Sequence, residues 1–265
     1  MKKKELEDLK DWFEMYVQTF KASGYGELEN IVLKEKHSRR VSKEALEMGT
    51  RMGVDARKLH LIEAIGLLHD IGRFEQFVRY GTFVDAESVD HAEFGVEILK
   101  SRAILDSIDR KEREIILCAI LHHNKLALPE DEPEECLFYL KLLRDADKLD
   151  IWNVMIDYYS NEDRYSNEAV GLGLPDTEGI SLEILDDLHE GRTVKSSELK
   201  NQNDFKLLQI SWIYGINFSC ALKRVLERGY IESVRSFLPE SAQIDDAVSE
   251  AISRAEERIK SIEHK

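Results

Sequence analysis

The chain has 265 residues, and 37 Lys and Arg stand against 52 Asp and Glu, which gives a formal net charge of −15. This length suffices for one large domain with a sizeable core, or for two small ones. The negative charge opposes unassisted binding to the phosphate backbone of a nucleic acid or to an anionic membrane. Neither partner is therefore expected.

Cysteine use and the amino-terminal sequence indicate a cytoplasmic protein. The three cysteines, Cys118, Cys136 and Cys220, are an odd number and lack the Cys-x-x-Cys spacing. They predict neither a disulfide framework nor a zinc knuckle, and a reducing compartment fits best. The basic start at Met1 runs into a charged amphipathic segment, which is atypical of a signal peptide. No stretch is apolar enough to span a bilayer.

The spacing of apolar residues predicts an all-α protein. Only four prolines occur, and apolar residues recur at intervals of three and four through most of the chain. Asp55, Asp109 and Ser241 are expected to cap helices. The predicted helices cover about residues 3–22, 29–53, 55–72, 87–104, 109–126, 133–160, 180–190, 203–237 and 241–263.

Two segments interrupt the helical pattern. Residues 74–86 contain Gly81 and several aromatic residues, and residues 171–179 have the glycine and proline punctuation of a loop. No low-complexity linker accompanies either segment. We therefore expect a single domain over residues 1–265, with a core at about 30–155 and a C-terminal helical extension at about 180–263.

Histidines in aliphatic, helical contexts are the most informative feature of the chain. One such histidine taken alone is usually a satisfied core residue. Several of them beside acidic residues are costly to bury unless they have partners or coordinate an ion. Imidazole and carboxylate together suit manganese, iron, nickel, cobalt or zinc. The histidines concerned are His37, His69, His91, His122 and His123.

The order His37, then the doublet His69-Asp70, then Asp147 resembles the HD superfamily of metal-dependent phosphohydrolases. The resemblance covers about residues 30–155 and implies an all-α HD core with additional C-terminal helices. It also implies that these four residues bind a divalent metal ion. Asp145 is the alternative to Asp147 in the last motif.

The additional histidines are similar to those of HD proteins with two metal ions. In that version Asp70 bridges the ions, and His37, His69 and Asp147 complete one site. His91, with His122 or His123, completes the other. The number of ions, one or two, is therefore open, and so is their identity among Mn, Fe, Ni, Co, Zn and Mg. The Gly-Tyr-Pro signature of cyclic dinucleotide phosphodiesterases is absent after His123.

The resemblance implies hydrolysis of a phosphate ester, by metal-activated water, in a nucleotide or another small phosphorylated metabolite. Asp70 would take part in catalysis as a metal ligand, and Arg73, Lys148 and Lys125 would bind the phosphate. His123 could protonate the leaving oxygen or lie in the outer shell of the metal. Carboxylates expected to orient ligand histidines are Glu75, Asp90 and Asp150.

Two other functions use the same residues. Inositol oxygenase and a phosphonate-cleaving relative resemble HD proteins but hold two irons and activate dioxygen, which the additional histidines permit. An HD core can also serve as a non-catalytic ligand sensor with a structural metal. Self-association into a homo-oligomer is open as well.

Overall fold

A computed structural model describes residues 1–23, 28–161 and 168–263. The described residues form α-helices joined by turns, short 3-10 segments and loops, without a β-strand, so the all-α prediction is confirmed. None of the described helices is both long enough and apolar enough to cross a lipid bilayer.

The chain folds into two compact units, Met1–Asp150 and Ile151–Lys265. The single-domain organisation stays a prediction. The first unit contains α1 (Lys3–Ser23), α2 (Leu28–Arg51), α3 (Ala56–Leu68), α4 (Ile71–Tyr80), α5 (His91–Ser101), α6 (Arg110–His122) and the first part of α7 (Glu134–Ser160). The second contains the rest of α7, α8 (Glu168–Gly171), α9 (Leu182–His189), α10 (Gln202–Ser211), α11 (Ser219–Glu227), α12 (Tyr230–Arg235) and α13 (Ala242–Glu263).

In the first unit, α3 lies at the centre and packs against α1, α2 and α6. Its apolar side chains are buried on nearly every side, including Leu61, Ile65 and Leu68. Gly66 allows a close approach to α2, because a Cβ at this position would lie 2.7 Å from the Cα of Ser42. Asp55 caps α3 as predicted, and its side chain accepts hydrogen bonds from two backbone N–H groups.

Capping side chains also start the next helices that carry histidines. Asp109 accepts a hydrogen bond from the Lys111 N–H and caps α6, as predicted. Asp90 caps α5 and accepts from the N–H groups of Ala92 and Glu93.

The second unit packs α13 against α9, α11 and α12, and α10 against α9 and α12. Buried polar side chains form hydrogen bonds within this unit. The Asp204 carboxylate accepts hydrogen bonds from the backbone N–H and the hydroxyl of Ser181, both at 2.8 Å. Trp152 donates its indole N–H to the carbonyl of Gln209 at 3.1 Å.

Two predicted helices were wrong, because the structure divides each of them. The helix predicted over 55–72 ends at Leu68, and α4 begins at Ile71 and runs to Tyr80 through the segment expected to be irregular. The helix predicted over 203–237 is divided into α10, a 3-10 turn at Trp212–Gly215, α11 and α12. The helix predicted over 109–126 ends at His122. Continuous apolar spacing hid these breaks, because a tight turn between helices preserves it.

Candidate metal centre

The His69-Asp70 doublet lies in the two-residue turn between α3 and α4. His69 keeps helical dihedral angles, whereas Asp70 has φ −100° and ψ 19°, outside the helical region. Both residues are buried, with relative exposures of 0% and 3%. The turn therefore directs both side chains into the interior of the first unit.

Gly72 allows α5 to approach this turn. A Cβ at Gly72 would overlap the carbonyl oxygen of His91 and lie 2.8 Å from the backbone nitrogen of Gly95. Gly72 lies in the first turn of α4. Its function in the fold is to bring His91, the first residue of α5, next to the doublet.

One oxygen of Asp70 faces two histidines. The Asp70 Oδ2 lies 3.6 Å from the Nε2 atoms of both His37 and His69. Asp147 Oδ1 completes this group, at 3.1 Å from His37 Nε2 and 3.6 Å from His69 Nε2. The structure thus brings the four predicted ligands together, with Asp147 rather than Asp145 among them.

The second oxygen of Asp70 faces the other two histidines. Its Oδ1 lies 3.4 Å from His91 Nε2 and 3.8 Å from His123 Nε2, and these two nitrogens are 3.1 Å apart. The two carboxylate oxygens of one buried residue are therefore divided between two groups of ligand atoms.

Each imidazole is oriented by a hydrogen bond at Nδ1. An Nδ1–H donated outward leaves the Nε2 lone pair directed at the centre, as metal-binding histidines require. The acceptors are Asp150 Oδ2 for His37 at 2.7 Å, the Gly66 carbonyl for His69 at 2.8 Å, Asp85 Oδ2 for His91 at 2.7 Å and the Ile120 carbonyl for His123 at 2.7 Å.

These contacts set the charges at the centre. Burial alone would raise the pKa of Asp70, but Lys34 and His69 hold it well below its usual value. Burial also opposes the charge of Asp147, and the adjacent His37 and His69 keep its pKa low. Burial and the charge of Arg73 lower the pKa of His91 to about 4, so this imidazole is neutral. Burial opposes the charge of His37, but its hydrogen bonds to Asp147 and Asp150 raise its pKa to about 9. The anionic carboxylates and the neutral His91 suit a cation.

Two buried atoms at the centre also lack a hydrogen-bond partner. They are His69 Nε2 and Asp147 Oδ1. Buried polar atoms are seldom left unsatisfied, and a bound ion would account for both of them. The donor set of imidazole nitrogens and carboxylate oxygens fits manganese, iron, nickel, cobalt or zinc.

Two residues of the centre were missed by the sequence interpretation. Lys34 donates a 2.8 Å hydrogen bond from Nζ to Asp70 Oδ2. Its position three residues before His37, on the same face of one helix, was the available signal. Asp85 lies in a 3-10 turn and binds both His91 and Arg73. It carried no periodic signal. Among the carboxylates proposed for outer contacts, Asp150 binds His37, as expected.

The predicted phosphate-binding cations differ in their settings. Arg73 donates to Asp85 at 2.8 Å, while its Nε lies 3.6 Å from Asp70 Oδ1 and lacks a hydrogen-bond partner. Lys148 is half-buried and, among the described residues, makes no hydrogen bond or ion pair. Burial and the charge of Arg144 lower its pKa to about 8.

Four expectations require correction. His122 does not face the centre, because consecutive helical residues point about 100° apart, and His123 takes that place. Lys125 is bound to Asp90 at 2.6 Å and to Glu93 at 3.1 Å, so its charge is already compensated. Asp90 is accordingly engaged with Lys125 rather than with a ligand imidazole. Glu75 is bound instead to Tyr16, Arg79 and Arg102.

Comparison with known proteins identifies the region that carries the centre. No curated protein and no solved structure matches the chain significantly. The model of the HD domain family matches residues 35–152, which include all six residues of the centre, namely His37, His69, Asp70, His91, His123 and Asp147. Residues 35–152 therefore form an HD domain, the domain that defines the HD superfamily of metal-dependent phosphohydrolases.

Proposed function

We propose that the chain is a phosphohydrolase with two divalent metal ions, acting on a phosphate ester of a nucleotide or another small phosphorylated metabolite. The observation that carries this proposal is the division of the two Asp70 oxygens between His37 and His69 on one side and His91 and His123 on the other. A carboxylate in this position can bridge two cations.

His37, His69, Asp70 and Asp147 would hold one ion, and Asp70, His91 and His123 the other. When bound, such ions polarise phosphoryl oxygens and lower the pKa of water from about 15.7 to about 7. His123 is assigned as a ligand rather than as the proton donor proposed from the sequence. Its Nδ1 is engaged by the Ile120 carbonyl, and its Nε2 faces the centre, so neither nitrogen is available to a leaving group.

The cationic side chains of the domain would bind the phosphate. Phosphoryl transfer needs positioning of the substrate and compensation of the charge on its oxygens. Lys148 adjoins the ligand Asp147, and no side chain in the described part of the protein binds its ammonium. Arg73 has a free Nε beside Asp70, while Asp85 holds its other end in place. We assign Lys148 and Arg73 to the substrate, and we leave out Lys125.

The test is turnover of a panel of nucleotides and phosphomonoesters by protein loaded with manganese, nickel, cobalt or zinc. We expect phosphate release that a chelator abolishes, and a loss of at least about 100-fold in Asp70→Asn, which lacks a bridging carboxylate. His189→Asn is the matched control, because His189 lies outside the HD domain and binds Glu250. No release with any metal would contradict the proposal. Substrate-dependent oxygen uptake by iron-loaded protein would favour oxygenase chemistry instead.

A further inference from the structure

His122 belongs to a second group of potential metal ligands. Cys118 and His122 are four residues apart on α6 and therefore share one face of the helix. Glu132, in the segment before α7, approaches that face. The thiol of Cys118, an imidazole nitrogen of His122 and a carboxylate oxygen of Glu132 all lie within 4.8 Å of one another.

The distance between His122 and Glu132 suits coordination of an ion better than a direct hydrogen bond. His122 Nε2 and Glu132 Oε1 are 3.7 Å apart, which is too long for a hydrogen bond. Ligand atoms about 2.1 Å from a tetrahedral zinc ion are separated by about 3.4 Å. The pair therefore needs to close by only a few tenths of an ångström to hold such an ion.

We propose that Cys118, His122 and Glu132 form a zinc site that is separate from the centre around Asp70. Burial raises the pKa of the Cys118 thiol, so the ion must displace its proton to solvent on binding. The resulting thiolate and the Glu132 carboxylate then compensate the two charges of the ion, and the imidazole adds a neutral ligand. The resulting site is electrically neutral, which limits the cost of placing it partly inside the protein. Sulfur, nitrogen and oxygen ligands in this combination are typical of zinc.

A second thiol strengthens the assignment. Cys136, near the start of α7, is buried and lies close to the thiol of Cys118. The described part of the chain thus brings two of its three cysteines together with a histidine and a glutamate. By contrast, the centre around Asp70 contains only imidazoles and carboxylates. Thiolate ligands favour zinc over the harder cations that carboxylates prefer.

The ion would link two elements that are distant from each other along the chain. It would join the C-terminal turn of α6 to the segment that leads into α7. His122 is also the neighbour of His123, so fixing the one restrains the backbone of the other. The site is therefore structural, and it stabilises the end of α6 next to His123, which faces the centre around Asp70.

Cobalt absorption separates this site from the centre around Asp70. Reduced, metal-free protein is titrated with cobalt(II), because a thiolate–cobalt bond gives a charge-transfer band that imidazole and carboxylate ligands do not. We expect this band in the unmodified chain and in Asp70→Asn and Cys220→Ser. It should disappear in Cys118→Ser, and the zinc content of that variant should fall by one ion per chain.

His122→Asn provides a second test should Cys118→Ser fail to fold, since His122 is partly exposed and its replacement leaves the buried thiols intact. We expect at least a tenfold weaker cobalt affinity, read from the same band. Absence of the band in the unmodified protein, or an unchanged band in both variants, would overturn the proposal. None of these readouts uses turnover, so the result is independent of the proposed phosphohydrolase activity.

Discussion

The Lys34 ammonium donates a 2.8 Å hydrogen bond to Asp70 Oδ2, the same oxygen that faces His37 and His69. The Lys34 ammonium thus compensates the charge of the buried Asp70 carboxylate at the oxygen that would bind a metal ion. An ion bound at this oxygen would take over part of that compensation. The stability of the domain should therefore depend on Lys34 to different extents with and without metal.

Lys34→Gln tests this dependence. In metal-free protein the variant should be less stable by about 1–3 kcal/mol, since Asp70 loses a charged partner inside the protein. Saturating metal should remove much of the difference. Urea unfolding with and without metal measures both values, and Lys36→Gln, on an exposed position of the same helix, is the control. Equal destabilisation in the two states would contradict the prediction.

Asp85→Asn should weaken the half of the centre that contains His91. Asp85 accepts the Nδ1–H hydrogen bond of His91 and also holds Arg73. Loss of such an outer carboxylate typically lowers metal affinity by about 10- to 100-fold. Titration calorimetry should resolve one ion that binds more weakly and a second ion whose affinity is unchanged.

Glu87→Gln is the control for Asp85→Asn, because Glu87 lies exposed in the same 3-10 turn. The role assigned to Asp85 would be refuted by two unchanged affinities in Asp85→Asn.

Gly72→Ala should destabilise the domain, because the added Cβ would overlap the backbone of His91 and Gly95 rather than a movable side chain. We expect a loss of about 1–3 kcal/mol in the free energy of unfolding, together with a weaker metal affinity. Gly49→Ala is the matched comparison, since its Cβ would meet only the side-chain ends of Ile62 and Leu59. A smaller loss in Gly72→Ala than in Gly49→Ala would count against this account.

Lys148→Met should lower kcat/KM by about 10- to 100-fold while metal content stays unchanged, because the residue is assigned to the substrate phosphate and not to an ion. Steady-state kinetics and metal analysis of the same sample measure both quantities. Lys141→Met, on the preceding turns of α7, is the control. Loss of metal in Lys148→Met would contradict this prediction and would indicate that Lys148 positions the metal ligand Asp147.

The sequence predicted the components of the centre more completely than their arrangement. The His-Asp doublet and the motifs on either side of it identified His37, His69, Asp70 and Asp147, because only a few residue types can bind a metal ion. Choosing between His122 and His123 required the phase of α6 at its last turn, which spacing does not determine to within one residue.

Contacts made by irregular segments were harder to predict. Asp85 belongs to a 3-10 turn without periodicity, and the irregular backbone between this turn and α5 brings its side chain to His91, six residues later. The break between α3 and α4 was hidden for a similar reason, because apolar residues continue on both sides of the doublet.

The turn that holds His69 and Asp70 leaves no spare length between two packed helices. One inserted residue would rotate α4 relative to α3, and the helices that flank the turn would lose their fit to α2 and α5. The spacing of the doublet is therefore a mechanical requirement of the domain as well as a chemical one. Homologous chains should vary in length at surface loops such as residues 172–180, and keep this turn at a fixed two residues.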